Sequence, residues 1–171
     1  MKEDVFINII KEKLPHSSSF IGDDTAYIKD CDLILTQDTL VENIHFRMSS
    51  TSPFELGYKA IAVNLSDIAA SGGIPKYILI SLSLPSSIDE NFIKEFYDGV
   101  NELCIKHNIL VVGGDITGAE KICISVTAIA KSEGINPATR RSANIGDNII
   151  VTGVFGASAA GLWLLENNIE S

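Results

Sequence analysis

The stretch GYKAIAVNLSDIAASGGIP, residues 57–75, decides the fold of this chain. Small and apolar residues fill it almost completely, which predicts a helix with a buried face that ends at the glycine pair 72–73. Just upstream, Ser52 is placed to cap the helix and Pro53 fits its first turn. Glu55 stands three residues after the cap, as a capping box requires. The sequence therefore predicts one long helix as the centre of the domain.

The last turns of this predicted helix carry Asp67 among apolar neighbours. A carboxylate there faces the negative end of the helix dipole and is poorly solvated, so a positive charge should compensate it. Lys59, on the same predicted helix, is the cation nearest in sequence. Because Lys59 lies eight residues back, a bound metal ion is a serious candidate for this role.

Composition limits the class of protein. The chain has 171 residues, of which 46% are hydrophobic and 20% are charged, which is the balance of a globular protein. With 13 basic and 22 acidic residues its net charge is -9, which argues against a nucleic-acid partner or an anionic membrane surface. The three cysteines lack metal-ligand spacing, and neither a signal peptide nor a membrane-spanning apolar run is found, so we expect a cytoplasmic protein with reduced thiols.

Strand and helix signals interleave along the first part of the chain. Several strands join directly, which predicts an α+β fold with a mixed or antiparallel sheet and helices packed on one face, not a doubly wound nucleotide fold. Ser87 and Glu90 form a second capping-box pattern before the later long helix. The predicted elements are helix 3–14, β-like runs within 20–28, strand 32–41, the central helix, strand 77–84, helix 88–107, strand 109–112 and strand 122–130.

The texture of the sequence changes from Gly134 onward. A linker-like stretch leads to a predicted strand at 148–152, a glycine-rich turn and a predicted helix at 157–166. We therefore expect a first domain over residues 1–135. Residues 136–171 are then a linker and the first strand-helix unit of an incomplete second domain.

Acidic residues end several apolar elements beside glycine or other small residues. Clustered carboxylate oxygens suit Mg²⁺, and Mg²⁺ suits a nucleoside triphosphate, so phosphoryl transfer is the chemistry that the pattern favours. Each signal also has a plainer interpretation: a turn at 22–24, a solvated strand end at 36–38, a surface histidine at His45, and a tight hairpin at 113–115. The carboxylate sites are Asp23 with Asp24, Asp38, Asp67 and Asp115.

Five ordered motifs identify a family that this chain resembles. They are IGDD at 21–24, TQDTLVENIHF at 36–46, NLSDIAASGG at 64–73, GGDITG at 113–118 and VTGVFGASAAGL at 151–162. Through them the chain is similar to the thiamine-monophosphate kinases, members of the aminoimidazole-ribonucleotide-synthetase-like ATP-binding superfamily. The segment DTLVENIHF is the part that points to these kinases among their relatives.

The resemblance implies transfer of the ATP γ-phosphate to thiamine monophosphate, which gives thiamine diphosphate, with several Mg²⁺ ions aligning the triphosphate. It also implies a homodimer whose sheets form a shared barrel. The implied Mg²⁺ ligands are Asp24, Asp38, Asp67 and Asp115, with Thr36 and Gln37 at neighbouring metal positions. The implied ATP contacts are Tyr97, Gly114, Asp115 and Arg140, and the implied substrate contact is His45.

The chain departs from the family pattern at several places. Gln37 stands where the family has threonine, GGDIT replaces GGDTT, and RRSANIGD at 140–147 leaves open whether Arg140 or Arg141 points inward. Only the beginning of the family's second domain is present, so activity of this chain alone depends on what completes it. Two alternatives stay open: a non-catalytic dimerising remnant that binds nucleotide, or a related enzyme such as an aminoimidazole ribonucleotide synthetase or a hydrogenase-maturation homologue. His45 in its motif argues against the second.

Overall fold

A mixed sheet with helices against one face organises the computed structural model, which describes residues 2–167 and residue 169. The strand order is β1-β2-β5-β3-β4, and all neighbours are antiparallel except β3 and β4, which run parallel. This confirms the α+β class and the mixed sheet. The elements are α1 (Glu3–Lys13), β1 (Ala26–Ile28), β2 (Leu33–Val41), α2 (Pro53–Ser71), β3 (Ile74–Leu84), α3 (Glu90–His107), β4 (Leu110–Gly118), β5 (Cys123–Lys131) and α4 (Ala157–Glu166).

Helix α2 begins and ends as its sequence predicts. The Ser52 hydroxyl accepts a hydrogen bond from the Glu55 main-chain N–H at 3.2 Å, and the Glu55 carboxylate accepts one from the Ser52 main-chain N–H at 2.8 Å. These reciprocal bonds satisfy two donors that the first turn of a helix leaves free. Gly72 then stops the helix with φ of 78°, a left-handed conformation that glycine adopts at little cost.

Helices α2 and α3 cross at a pair of glycines. A Cβ on Gly57 would lie 1.9 Å from the main-chain oxygen of Phe96, and one on Gly99 would lie 1.9 Å from that of Phe54. Only glycine at both positions permits this approach. The crossing brings the apolar side chains of α3, including the fully buried Phe96, into the same core as the sheet.

One face of the sheet is covered and the other is open. Ile78, Ile80 and Leu82 on β3 point to the helices and are at most 2% exposed. Leu79, between two of them, points the other way and is 37% exposed. Because side chains alternate along a strand, this pattern assigns every strand residue to the covered face or the open face.

The start of α3 differs from its prediction. Its N-cap is Asp89, whose carboxylate accepts the Phe92 main-chain N–H at 2.9 Å. Ser87 lies instead in a turn that the Ile88 N–H closes onto the Pro85 carbonyl. Both residues are good caps, but the turn at Pro85 delays the helix by two residues.

The glycine-rich segment 113–118 is part of strand β4, not a hairpin turn. Gly113, Gly114 and Asp115 continue the ladder with β3, opposite Leu79, Ile80 and Ser81. The neighbouring β3 supplies the hydrogen bonds that hold these residues extended. The tight-hairpin interpretation is therefore wrong.

The strand predicted at 148–152 is also wrong. These residues have no regular secondary structure and no strand partner in the part of the chain that the structure describes, and Ile149 is 95% exposed. A strand needs a neighbour to pair its main-chain groups, and none lies beside this segment. The following helix, α4, has the predicted bounds, while residues 168, 170 and 171 of the predicted second unit lie outside the described residues. In the described part of the chain, no helix has the length and apolar character to cross a membrane.

Candidate functional site

Three of the predicted metal positions meet at one end of the covered face. Thr36 on β2 places its hydroxyl oxygen 3.1 Å from the main-chain oxygen of Asp24 and 3.0 Å from the Asp67 carboxylate. A hydroxyl has one proton, so it donates to one of these oxygens at a time. The loop before β1, strand β2 and helix α2 thus converge on one oxygen-rich site, which we call the carboxylate site (Asp24, Thr36, Asp38 and Asp67).

Arg140 supplies the positive charge at the carboxylate site. Its guanidinium donates two hydrogen bonds to one oxygen of Asp24, at 2.6 and 3.0 Å. The hydrogen bond to Asp24 is the main reason that the pKa of Arg140 is raised, and the charges of Asp24, Asp23 and Asp67 raise it further. Arg140 is therefore the residue of the arginine pair that contacts the carboxylate site.

Lys59, the cation nearest to Asp67 in sequence, does not contact it. Lys59 donates instead to the main-chain carbonyl of His45, at 2.5 Å. Arg140 is far away in sequence, and only the docking of its loop brings it near Asp67. The Ala138 N–H donates to the Ser71 carbonyl at the end of α2, and the Arg140 N–H donates to the Asp23 carboxylate, each at 3.1 Å.

Asp38 belongs to the same face of β2 as Thr36. Its partial burial raises the pKa of the Asp38 carboxyl, the nearby charge of Asp67 raises it further, and His45 has the opposite effect. Two partly buried carboxylates that repel each other favour a cation between them. Asp67 and His45 thus act on the pKa of the Asp38 carboxyl in opposite directions.

Gln37 does not join the carboxylate site. It lies on the open face of β2, where its side-chain oxygen accepts a hydrogen bond from the Thr127 hydroxyl at 3.1 Å. Its neighbours Thr36 and Asp38 point to the covered face, and strand alternation prevents all three from pointing the same way. The structure therefore separates Gln37 from the other predicted metal positions on β2.

Asp115 is also separated from the carboxylate site. Asp38 pairs with Val126, which pairs with Ile80, and Ile80 pairs with Gly114, so these four residues form one row across the sheet. Asp115 is the next residue along β4, beside Ser81, and therefore points to the open face. Three strand spacings, roughly 14 Å, lie between the two positions. In the part of the chain that the structure describes, no three acidic, histidine or cysteine side chains are close enough to hold a metal ion by themselves.

Three of the four predicted ATP contacts share a second location. Tyr97 on α3 and Gly114 and Asp115 on β4 line one open cleft of about 540 Å³ at the edge of the sheet. Glycine at 114 is a steric requirement, because a Cβ there would lie 1.8 Å from the main-chain oxygen of Ile80. Arg140, the fourth, lies at the carboxylate site.

His45 lies on the loop after β2, which two contacts hold in place. The Val41 N–H donates to its Nδ1 at 2.9 Å, and the buried Phe46 anchors the loop in the core. His45 lines a small cavity of about 130 Å³ together with Arg47 and Lys59. Neither residue belongs to the ordered motifs, although Arg47 directly follows the HF motif and Lys59 lies on the central helix.

Asn64, in the NLSD segment, is another residue that the motif did not explain. It is 0% exposed, and its side-chain N–H donates to the Ala60 carbonyl at 3.0 Å. Its side-chain oxygen has no hydrogen-bond partner within the described residues. No spacing rule distinguishes such a residue from the other polar positions of a helix.

Comparisons with known proteins agree on one family. The N-terminal domain of AIR synthase related proteins matches residues 22–131. The thiamine-monophosphate kinase of Bacillus subtilis (strain 168) is 43% identical over 172 residues, covering 96% of this chain and 53% of the relative. That of Aquifex aeolicus (strain VF5) is 44% identical over 161 residues, covering 93% and 51%.

A solved structure gives the same result. The protein described as "AaThiL complexed with AMPPCP and TMP" superposes with a TM-score of 0.89 at 43% identity, covering 97% of this chain and 53% of that one. The chain spans about half the length of the curated relatives that it matches. It belongs to the family of AIR synthase related proteins, whose N-terminal domain it contains, and within that family it is similar to the thiamine-monophosphate kinases.

Proposed function

We propose that this chain supplies the nucleotide- and metal-binding half of an enzyme that transfers the γ-phosphate of ATP to thiamine monophosphate. The single observation that supports this most is the convergence of Asp24, Thr36 and Asp67 at one site capped by Arg140. The choice of substrates is supported by the relatives named thiamine-monophosphate kinase. It is also supported by the solved structure of a relative that holds TMP and AMPPCP, which is an ATP analogue.

The carboxylate site fits Mg²⁺ in the way that nucleotide enzymes use it. Mg²⁺ is held there by one or two carboxylates together with phosphate oxygens and water, not by a cage of protein ligands. One or two of the carboxylates Asp24, Asp38 and Asp67 would hold the ion together with phosphate oxygens, and the ion would neutralise charge on the triphosphate. The ion pair between the Arg140 guanidinium and the Asp24 carboxylate supports a role for this position in attracting positive charge.

The reaction needs mainly alignment and charge neutralisation from the protein. Thr36 orients the Asp67 carboxylate by its hydrogen bond. Arg140 can give its five N–H donors to phosphate oxygens when it leaves Asp24. His45 would contact the acceptor substrate on the side of Asp38 that faces away from Asp67. Cytoplasmic location stays a prediction.

The open face leads us to propose a homodimer in which Asp115 serves the site of the partner chain. Within one chain Asp115 points away from the carboxylate site and lies at the far edge of the sheet. Exposed apolar side chains accompany it on or beside the open face, at Leu79 and Tyr77. Pairing of two such faces would bury these side chains and would close the barrel that the family resemblance implies.

The first experiment is a coupled assay for ADP release with Mg²⁺ and ATP, with and without thiamine monophosphate. We expect substrate-dependent release from the wild-type chain once its site is completed, and at least a hundredfold loss in Asp67→Asn. Asp30→Asn, which removes an exposed carboxylate elsewhere, is the matched control and should be unchanged. Full activity in Asp67→Asn would refute the carboxylate site.

Mixed dimers test the placement of Asp115. Asp67→Asn and Asp115→Asn should each be inactive as homodimers. If Asp115 acts across the interface, mixing them restores one intact site in each mixed dimer, or about a quarter of the wild-type activity. No recovery on mixing would show that Asp115 acts within its own chain or not at all.

A further inference from the structure

A short part of the linker lies against the carboxylate site. The Ala138 N–H donates to a main-chain carbonyl at the end of α2, and the Arg140 N–H donates to the Asp23 carboxylate, each at 3.1 Å. The Arg140 guanidinium adds two hydrogen bonds to one oxygen of Asp24. We call this part of the linker the strap (residues 137–142). Three of these four hydrogen bonds therefore depend on carboxylates of the loop before β1.

Little apart from these hydrogen bonds fixes the strap. A cavity of about 200 Å³ lies between residues 137–139 and residues of the segment 19–27, among them Phe20 and Tyr27. From Ala138 onward the strap is exposed. A segment with few buried contacts opens at a low cost in free energy. The contacts with the acidic loop thus decide whether the strap stays closed.

A cation at the carboxylate site competes with the strap for Asp24. The Asp24 side chain is 29% exposed, and its Oδ1 accepts both guanidinium N–H groups of Arg140. A divalent cation held by Asp24 would lie within a few ångströms of this guanidinium. Like charges at that separation repel, and partial burial of the carboxylate limits screening by salt. Mg²⁺ and the closed strap therefore weaken each other.

We infer that the strap is a metal-sensitive device: Arg140 keeps it closed on Asp24 in the metal-free chain, and Mg²⁺ at the carboxylate site opens it. This inference rests on the proposed function, since it takes Mg²⁺ as the ion of that site. Opening frees the Arg140 guanidinium for a phosphate group. The same movement detaches the linker that leads to α4, so loading of the first domain changes the position of the chain beyond it.

The competition has a measurable size in both directions. Binding to a site that is free in only a fraction of the chains is weakened by that fraction. A strap that is closed in about nine chains of ten therefore weakens Mg²⁺ binding about tenfold. Because coupling between two binding events is reciprocal, Mg²⁺ must weaken closure of the strap by the same factor.

Calorimetric titration of Mg²⁺ into the nucleotide-free chain measures the first direction. Arg140→Met removes the guanidinium, and we expect it to bind Mg²⁺ about tenfold more tightly than the wild type. Arg141→Met is the matched control, because it removes the same charge from the next residue, which makes no ion pair with the described residues. Its Mg²⁺ affinity should be that of the wild type.

Hydrogen exchange of the strap amides measures the second direction without a catalytic readout. In the wild type, saturating Mg²⁺ should speed exchange of the Ala138 and Arg140 N–H groups about tenfold, compared with NaCl at the same ionic strength. Arg140→Met without Mg²⁺ should exchange at these positions as quickly as the wild type does with it. The N–H of the buried Ile61 on α2 is the internal reference, and its exchange should not change.

Equal Mg²⁺ affinities of the wild type, Arg140→Met and Arg141→Met would overturn the inference and leave the proposed function standing. An equal gain in both arginine variants would also overturn it, because net charge and not contact with Asp24 would then set the affinity. Exchange of the strap amides that Mg²⁺ leaves unchanged has the same consequence. Absence of Mg²⁺ binding in all three chains would instead count against the proposed function on which the inference rests, so the two failures are distinguishable.

Discussion

The two faces of the sheet differ in how far other parts of the chain cover them. On the covered face, Ile80 is 2% exposed beneath the helices. On the open face its neighbour Leu79 is 37% exposed, and polar side chains such as Thr39 and Ser125 share a hydrogen bond at 2.8 Å. The same alternation of residues produced both faces. The difference teaches that alternation along the strands makes two faces, and that only one of them is covered by helices of this chain.

Substitutions on adjacent β3 residues should separate the faces most strongly. Ile80→Ala removes fully buried methyl groups and should lower the free energy of unfolding by about 4 kcal/mol. Leu79→Ala should cost less than about 1 kcal/mol in the dilute monomer, because water already reaches the side chain. Urea denaturation at low protein concentration measures both. Equal losses would mean that the open face is packed within the monomer.

The helix layer over the covered face should break at the glycine crossing. Gly99→Ala places a methyl group against the Phe54 carbonyl and should cost about 3 kcal/mol, because two helix backbones must move apart. Gly161→Ala on α4 is the control, since its added Cβ meets no atom of the described residues within 4 Å apart from its own helix backbone and chain neighbours. Thermal unfolding of both variants measures the difference. A tolerated Gly99→Ala would show that the helices can separate without harm.

The smallest expected effect concerns the cap of the helix that covers the sheet. Hydrogen bonds from the Ser52 main chain and hydroxyl lower the pKa of Glu55, so its stabilising contribution is present above the ordinary value of 4.5 and is lost as the pH falls through the lowered value. Glu55→Gln should therefore destabilise the protein by under about 1 kcal/mol at pH 7, and the effect should shrink as the pH falls through the lowered pKa.

Thermal melts across that pH range, with Glu95→Gln on the exposed side of α3 as the control, measure the dependence. A destabilisation that does not change with pH would mean that the carboxylate charge of Glu55 is not what supports the cap.

The limits of sequence reasoning show at particular residues. Asp89, not Ser87, caps α3, because the preceding turn at Pro85 decides where the helix can begin. The strand predicted at 148–152 failed because its apolar residues found no strand beside them. In both cases the local pattern was real, and a neighbouring element decided its outcome.

The sequence predicted which residues belong to the candidate site better than it predicted which of them lie together. The motifs named Asp24, Thr36 and Asp67, and the structure brings them together. They could not place Asp115 on the opposite face, since that depends on which β4 residue pairs with Ile80. They also gave no sign that Lys59 turns to the His45 loop.

By itself, the sequence determined the central helix with its capping box, the α+β class, the family and most residues of the candidate site. These follow from local hydrogen bonding, from side-chain periodicity and from ordered motifs, all of which act over short stretches of chain. Only the tertiary structure decided that Arg140 compensates the carboxylate site and that the sheet keeps one face open. Those outcomes depend on strand register and loop docking between distant segments, which no local pattern encodes.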